Sequence, residues 1–157
     1  MSLPPHAGAD ARRDWLAVLA RAPRASLARH APAIVAAHDF NWLRRPETGL
    51  VMLRARIGNG GDRFNLGEAT VTRCALRCER DGVAVVGVGH VLGRDEQRAE
   101  WVAALDALLQ VPALHAELMA DVIAPLQAAT ATARAAEQAR NAASRVHFHA
   151  LQPEVAR

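Results

Sequence analysis

The chain has 157 residues, a formal charge of +3, a sequence pI of about 10.0, and 51% hydrophobic but only 4% aromatic residues. That size and apolar content fit one folded domain and exclude a disordered chain. Every one of the 19 basic residues is Arg, spread along the chain and interleaved with acids, and Tyr is absent. This is not the basic stripe with stacking aromatics that a nucleic-acid binder shows.

In chain order, residues 1–9 read as a disordered tail and 10–157 as a single α+β domain. Asp10 is placed to cap a helix running to about Arg21, ended by Pro23. A second helix covers about Arg24 to Ala31 and stops at Pro32. Phe40, Trp42 and Arg44 alternate with their neighbours as a first strand, and Pro46-Glu47-Thr48-Gly49 has turn chemistry. Val51, Leu53, Ala55 and Ile57 alternate with Met52, Arg54 and Arg56 as a second strand. Gly58–Asp62 forms a loop, and a third strand spans about Glu68 to Cys78.

Asp81-Gly82 is a two-residue hairpin signal. It pairs Arg80 with Val83, Arg73 with His90, Val71 with Leu92 and Ala75 with Val88. The opposite face is expected to carry Thr70, Thr72, Cys74 and Leu76 against Val91, Gly89, Gly87 and Val85. Gly87 and Gly89 then mark where another element approaches the backbone closely. Asp95 caps a helix with Ala99, Val102, Leu105, Leu108 and Leu109 on its apolar side. Further helices cover about Pro112 to Ile123 and, opened by Pro125, run to about Asn141. The last is an Ala-rich C-terminal helical arm that buries little area per residue, which leaves it a surface for a partner. Val146 and Phe148 suggest a short terminal strand. The expected fold is a four-stranded antiparallel sheet flanked by N-terminal and C-terminal helices.

No apolar run reaches the ~18 residues of a membrane span, and the start lacks a signal-peptide core, so a cytoplasmic protein with no membrane or nucleic-acid partner is expected. Cys74 and Cys78 lie ~13 Å apart along one strand, too far for a disulfide, and read as buried free thiols. Gly58–Gly61 lacks the Lys and following helix of a P-loop and reads as a hairpin loop. Gly87-Val88-Gly89 continues a strand and is no dinucleotide fingerprint. His147 and His149 lack a third ligand for zinc. Glu47 and Glu68 read as salt-bridge partners of nearby arginines. The candidates for phosphate or partner binding are Arg54, Arg56, Arg63, Glu68, Arg73, His90 and Arg94. No catalytic set, metal site or cofactor site is complete within the chain, as in a subunit that finishes a site made with others.

Residues 45–77 (RPETGLVMLRARIGNGGDRFNLGEATVTRCALR), with GHVLGRDEQRAEWVAALDALLQ, IAPL and NAASRVHF further on, resemble the G-subunit family (PhnG) of bacterial carbon–phosphorus lyase over about residues 12–150. His90, His147 and His149 depart from that family's pattern. The resemblance implies a role in phosphonate catabolism for phosphorus acquisition. It implies partnership with the H, I and J subunits, the I subunit most directly, and functionally with the L subunit. The implied reaction displaces adenine from ATP by a phosphonate, giving a ribose 1-phosphonate 5-triphosphate. ATP and phosphonate are then substrates of the complex, with no cofactor bound by this subunit alone, and the J subunit later cleaves the carbon–phosphorus bond. The competing reading is an autonomous phosphate- or nucleotide-binding module.

Overall fold

A computed structural model of the chain describes residues 8–58, 60–80 and 82–144. Its centre is the helix Glu96–Leu109, in which Ala99 and every residue from Trp101 to Leu109 are buried. A helix apolar on nearly all sides must be covered on nearly all sides. One side meets a three-stranded antiparallel sheet of β1 (Asn41–Arg56), β2 (Arg63–Arg80) and β3 (Val83–Leu92), in that spatial order. The others meet α1 (Ala9–Arg21), α2 (Arg24–Ala36) and α4 (Pro112–Leu118), which makes the central helix α3. A π-helical turn at Met119–Ile123 joins α4 to α5 (Ala124–Ala143), so the helical layer amounts to four rods.

Among the described residues the sheet has three strands, not the expected four. The two strands assigned to 40–57 are one 16-residue strand. Pro46-Glu47-Thr48-Gly49 does not reverse the chain; it lies where the β1–β2 register shifts, between Arg44 and Glu47. β1 is an edge strand, where a proline's missing N–H breaks no necessary ladder bond. A terminal strand at 146–148 and the pair His147/His149 lie outside the described residues.

The β2–β3 register is as the hairpin signal requires, with Arg80 opposite Val83, Arg73 opposite His90 and Val71 opposite Leu92. The other face needs a two-residue correction: Thr72 stands opposite Val91, Cys74 opposite Gly89 and Leu76 opposite Gly87. Antiparallel partners keep a constant sum of residue numbers, so both faces obey one register. A β-carbon on Gly87 would strike the Ala103 carbonyl oxygen, and one on Gly89 the Ala99 carbonyl oxygen. These glycines let α3 lie directly on the sheet.

Helix boundaries differ in two places, and the Pro125 start of the last helix is as expected. Asp10 lies in the first turn of α1 rather than capping it; Gly8 is the cap residue. α2 runs through Pro32 to Ala36, and the Ala28 carbonyl that loses its donor there belongs to an exposed residue that water can reach. Pro125 sits at the start of α5 directly after the π turn, whose wider winding accommodates the proline ring. Beyond Leu126, no residue of α5 is buried.

Two polar groups tie the layers together. Asp106 on α3 is wholly buried and accepts from Arg12 Nε (3.2 Å) and Nη2 (2.7 Å), from Trp15 Nε1 (2.9 Å) and from the Val88 N–H (2.9 Å). One carboxylate thereby joins α1, α3 and β3. Thr72 is also wholly buried: its hydroxyl donates to the Gly93 carbonyl (2.7 Å), accepts from the Asp95 N–H (3.1 Å) and lies 3.1 Å from the Thr48 hydroxyl. Thr72→Val keeps the shape and strands the Asp95 N–H. It should destabilise by about 1–3 kcal/mol, read as a fall in urea midpoint at unchanged m-value; a shift under about 0.5 kcal/mol would show the cluster to be dispensable.

Cys74 and Cys78 are free and buried on the α3 side of β2. Burial, reinforced by Glu100 and partly opposed by a hydrogen bond from the Gly89 backbone, pushes the Cys74 thiol up to about 11. Burial, then Asp39, also raise Cys78, against Arg80. Both remain thiols at neutral pH, with structural roles.

Candidate functional site: an open sheet face and a projecting hairpin arm

α3 covers one face of the sheet. On the other, Arg73 stands between Glu47 on β1 and His90 on β3. Arg73 Nε donates to Glu47 Oε1 at 2.8 Å, and Arg44 Nη1 reaches the same oxygen at 3.3 Å. The three groups are about half exposed, so the network orients side chains more than it stabilises the fold. The expectation for Glu47 as a salt-bridge partner holds. Glu68 stands opposite Met52 and makes no ion pair among the described residues.

Arg94 is exposed at the turn into α3. The adjacent helix start is already occupied by the Asp95 carboxylate, which accepts from the Arg98 N–H at 3.1 Å and pairs with Arg24 Nη1 at 2.6 Å. Arg24 is itself steadied over the Trp101 ring, 5.7 Å from its centroid. That end is a neutralised cap, not an open anion site.

The remaining candidates lie on a feature that dividing β1 in two had hidden. β3 ends where Leu92 pairs with Val71. Beyond that point β1 and β2 continue, among the described residues, as a two-stranded ribbon to the loop at Gly58–Asp62. Leu50 to Arg56 is seven residues, so at ~3.3 Å each this arm is about 23 Å long. It carries seven of the eleven large apolar residues that are exposed in the described chain: Leu50, Val51, Met52, Leu53, Ile57, Phe64 and Leu66.

Residues opposite one another share a face. Alternation along β1 puts Leu50, Met52, Arg54 and Arg56 on one face, with Arg63 directly across from Arg56. Val51, Leu53 and Ala55 take the other face, with Phe64 across from Ala55. A bulge between Leu53 and Arg54, with Gly67 at φ +153°, adjusts the β2 side of this register. Arg54, Arg56 and Arg63 therefore gather near the tip, and none makes an ion pair among the described residues.

The seven candidates thus fall into three places: Arg54, Arg56, Arg63 and Glu68 on the arm, Arg73 and His90 on the open face, and Arg94 at the turn into α3. The sequence reading missed Asp106 and the Thr72 cluster. A lone acid inside the apolar run Ala103–Leu109 was the available signal for Asp106. Among the described residues no group of three or more His, Cys, Asp or Glu is placed to hold a metal ion, and no helix is long and apolar enough to cross a membrane.

Comparison with known proteins adds two findings. A family model described as "Phosphonate metabolism protein PhnG" matches residues 10–152. The chain is also 44% identical over 121 residues to "Alpha-D-ribose 1-methylphosphonate 5-triphosphate synthase subunit PhnG" of Rhizobium meliloti (strain 1021), a match covering 73% of this chain and 76% of that one.

Proposed function

The chain belongs to the PhnG family of phosphonate metabolism proteins, and from that premise we propose that it is a non-autonomous subunit of a ribose 1-methylphosphonate 5-triphosphate synthase in the carbon–phosphorus lyase complex. The observation that carries this is the 44% identity, over about three quarters of both chains, to a protein named as a subunit of that synthase. The arm supports it, because apolar side chains on both faces of a lone ribbon are what a partner would cover.

In the reaction, a phosphonate oxygen forms a bond to the ribose C1 of ATP. The C1–N bond to adenine breaks, and adenine leaves with a proton. ATP and phosphonate are substrates of the assembled complex, with no cofactor held by this subunit alone. Its partners are the H, I and J subunits, the I subunit most directly, with the L subunit acting alongside. Arg54, Arg56, Arg63, Arg73, His90 and Arg94 serve contacts to partner carboxylates or substrate phosphates, and Glu68 a contact to a basic group of a partner. The test is omission and add-back of this chain in a synthase assembled from the other subunits, following free adenine and the new phosphonate ester by phosphorus NMR. Stoichiometric ATP binding by the purified chain alone would instead support an autonomous nucleotide-binding module.

A further inference from the structure

We propose that the β1–β2 arm is a docking element that inserts into an apolar groove flanked by carboxylates on another protein subunit. This rests on the subunit reading above and names the surface and the chemistry of the partner.

Three observations carry it. First, among the described residues the arm has no support of its own: past the Val71–Leu92 pair no third strand continues, and no residue from Glu47 to Arg56 on β1 is buried. A two-stranded ribbon is marginal in water, so its side chains gain order and burial together when a partner closes over them. Second, the apolar side chains occupy both faces, with Leu50 61% exposed and Met52 50% exposed on one and Leu53 41% exposed on the other. A small anion would engage only arginines; only a macromolecular groove buries both faces. Third, the charge is uneven. From Leu50 to Thr70, three arginines against Asp62 and Glu68 leave a net +1, with the three arginines gathered at the tip. Arg56 and Arg63 face each other directly, an unfavourable like-charge pair unless an acid stands between or beside them.

The sign of that charge selects the occupant. A second copy would present an equally positive arm from a chain of net +3, which repels. A nucleic acid would satisfy the arginines but not aliphatic side chains on both faces. An acidic, apolar protein groove satisfies both.

The experiment co-expresses the tagged full-length chain with the other subunits and compares wild type with R54E/R56E/R63E, R54K/R56K/R63K and M52D/L66D. All five substituted side chains are exposed, so the variants should keep the wild-type circular dichroism and melting temperature. Charge reversal should cut the co-purified partner by roughly tenfold or more, because like charges are then forced together. The Lys variant should retain most binding. A photo-crosslinking residue at Ile57 should join the arm to a carboxylate-bearing segment of a different subunit.

The proposal is overturned if the folded charge-reversed and M52D/L66D variants co-purify at wild-type levels; the subunit reading would then stand without it. It is also overturned if the crosslink joins two copies of this chain, or if charge reversal abolishes phosphate or ATP binding while the complex stays whole. A wild-type chain that fails to co-purify would sink the subunit reading and the arm proposal together.

Discussion

Asp106→Asn should cost about 3 kcal/mol of folding stability, a large part of the 5–15 kcal/mol that holds a domain of this size together. The side chain is wholly buried and takes four hydrogen bonds, all from donors. A carboxylate is suited to this because it only accepts. An amide of the same shape turns an NH2 group toward one set of those donors, so either Arg12 Nη2 and the Val88 N–H or Arg12 Nε and the Trp15 indole N–H lose their acceptor. Arg12 is about one-third exposed and can turn to water. The Trp15 and Val88 donors cannot, and leaving them unsatisfied is the larger cost. Urea unfolding followed by tryptophan fluorescence measures it; a loss below about 1 kcal/mol would mean that Asp106 is a passenger in the core.

Gly89→Ala should be at least as damaging, by about 3 kcal/mol or more, although it adds one methyl group. The new β-carbon would meet the Ala99 carbonyl of α3 and lie 3.1 Å from the Cys74 sulfur. Main-chain atoms of a helix pinned by Asp95 at its start and Asp106 near its end cannot step aside singly; α3 would have to lift off the sheet. Gly87→Ala meets the same obstacle at Ala103 and Ala107. Gly49→Ala is the control, because nothing lies within 4 Å of its β-carbon position and its φ is not in the left-handed range. It should change stability by no more than about 0.5 kcal/mol. Equal melting temperatures for Gly89→Ala and Gly49→Ala would refute the close packing of α3 on β3.

What the sequence revealed and what it hid follow from the range of the forces involved. Asp81-Gly82 specifies a hairpin locally, and an antiparallel register follows from one pair; the roles of Gly87 and Gly89 were legible for that reason. Asp95 was likewise legible, because its bond to the Arg98 N–H spans three residues. Pro46-Glu47-Thr48-Gly49 misled because its composition is that of a turn, whereas its conformation is set by pairing with residues more than 20 positions away on β2. Dividing β1 there removed the arm from view; Arg54 and Arg56 were legible as neighbours on one strand face, and only the pairing of Arg56 with Arg63 brings in the third. Pro32 misled for a related reason: the exposed Ala28 carbonyl can turn to water, so the helix need not stop there, whereas Pro125 opens α5 as its position predicts. Asp106 takes its meaning from Arg12, Trp15 and Val88, which only the tertiary fold brings together. Membership of the PhnG family, in contrast, could be read from contiguous segments such as Glu47–Leu50 and Gly67–Arg73.

The open face and the arm occupy one continuous stretch of the β1–β2 hairpin. The core beneath is held by Asp106 and Thr72, while apolar residues and arginines with no ion pair among the described residues project outward. That division suits a subunit whose fold is self-sufficient and whose chemistry is completed elsewhere.

The most direct measurement of that claim is synthase turnover with this chain omitted and then restored. Without it, ATP and methylphosphonate should release no adenine above background; wild-type chain should restore release, and the chain alone should produce none. Full turnover in its absence, or adenine release by the isolated chain, would contradict the account.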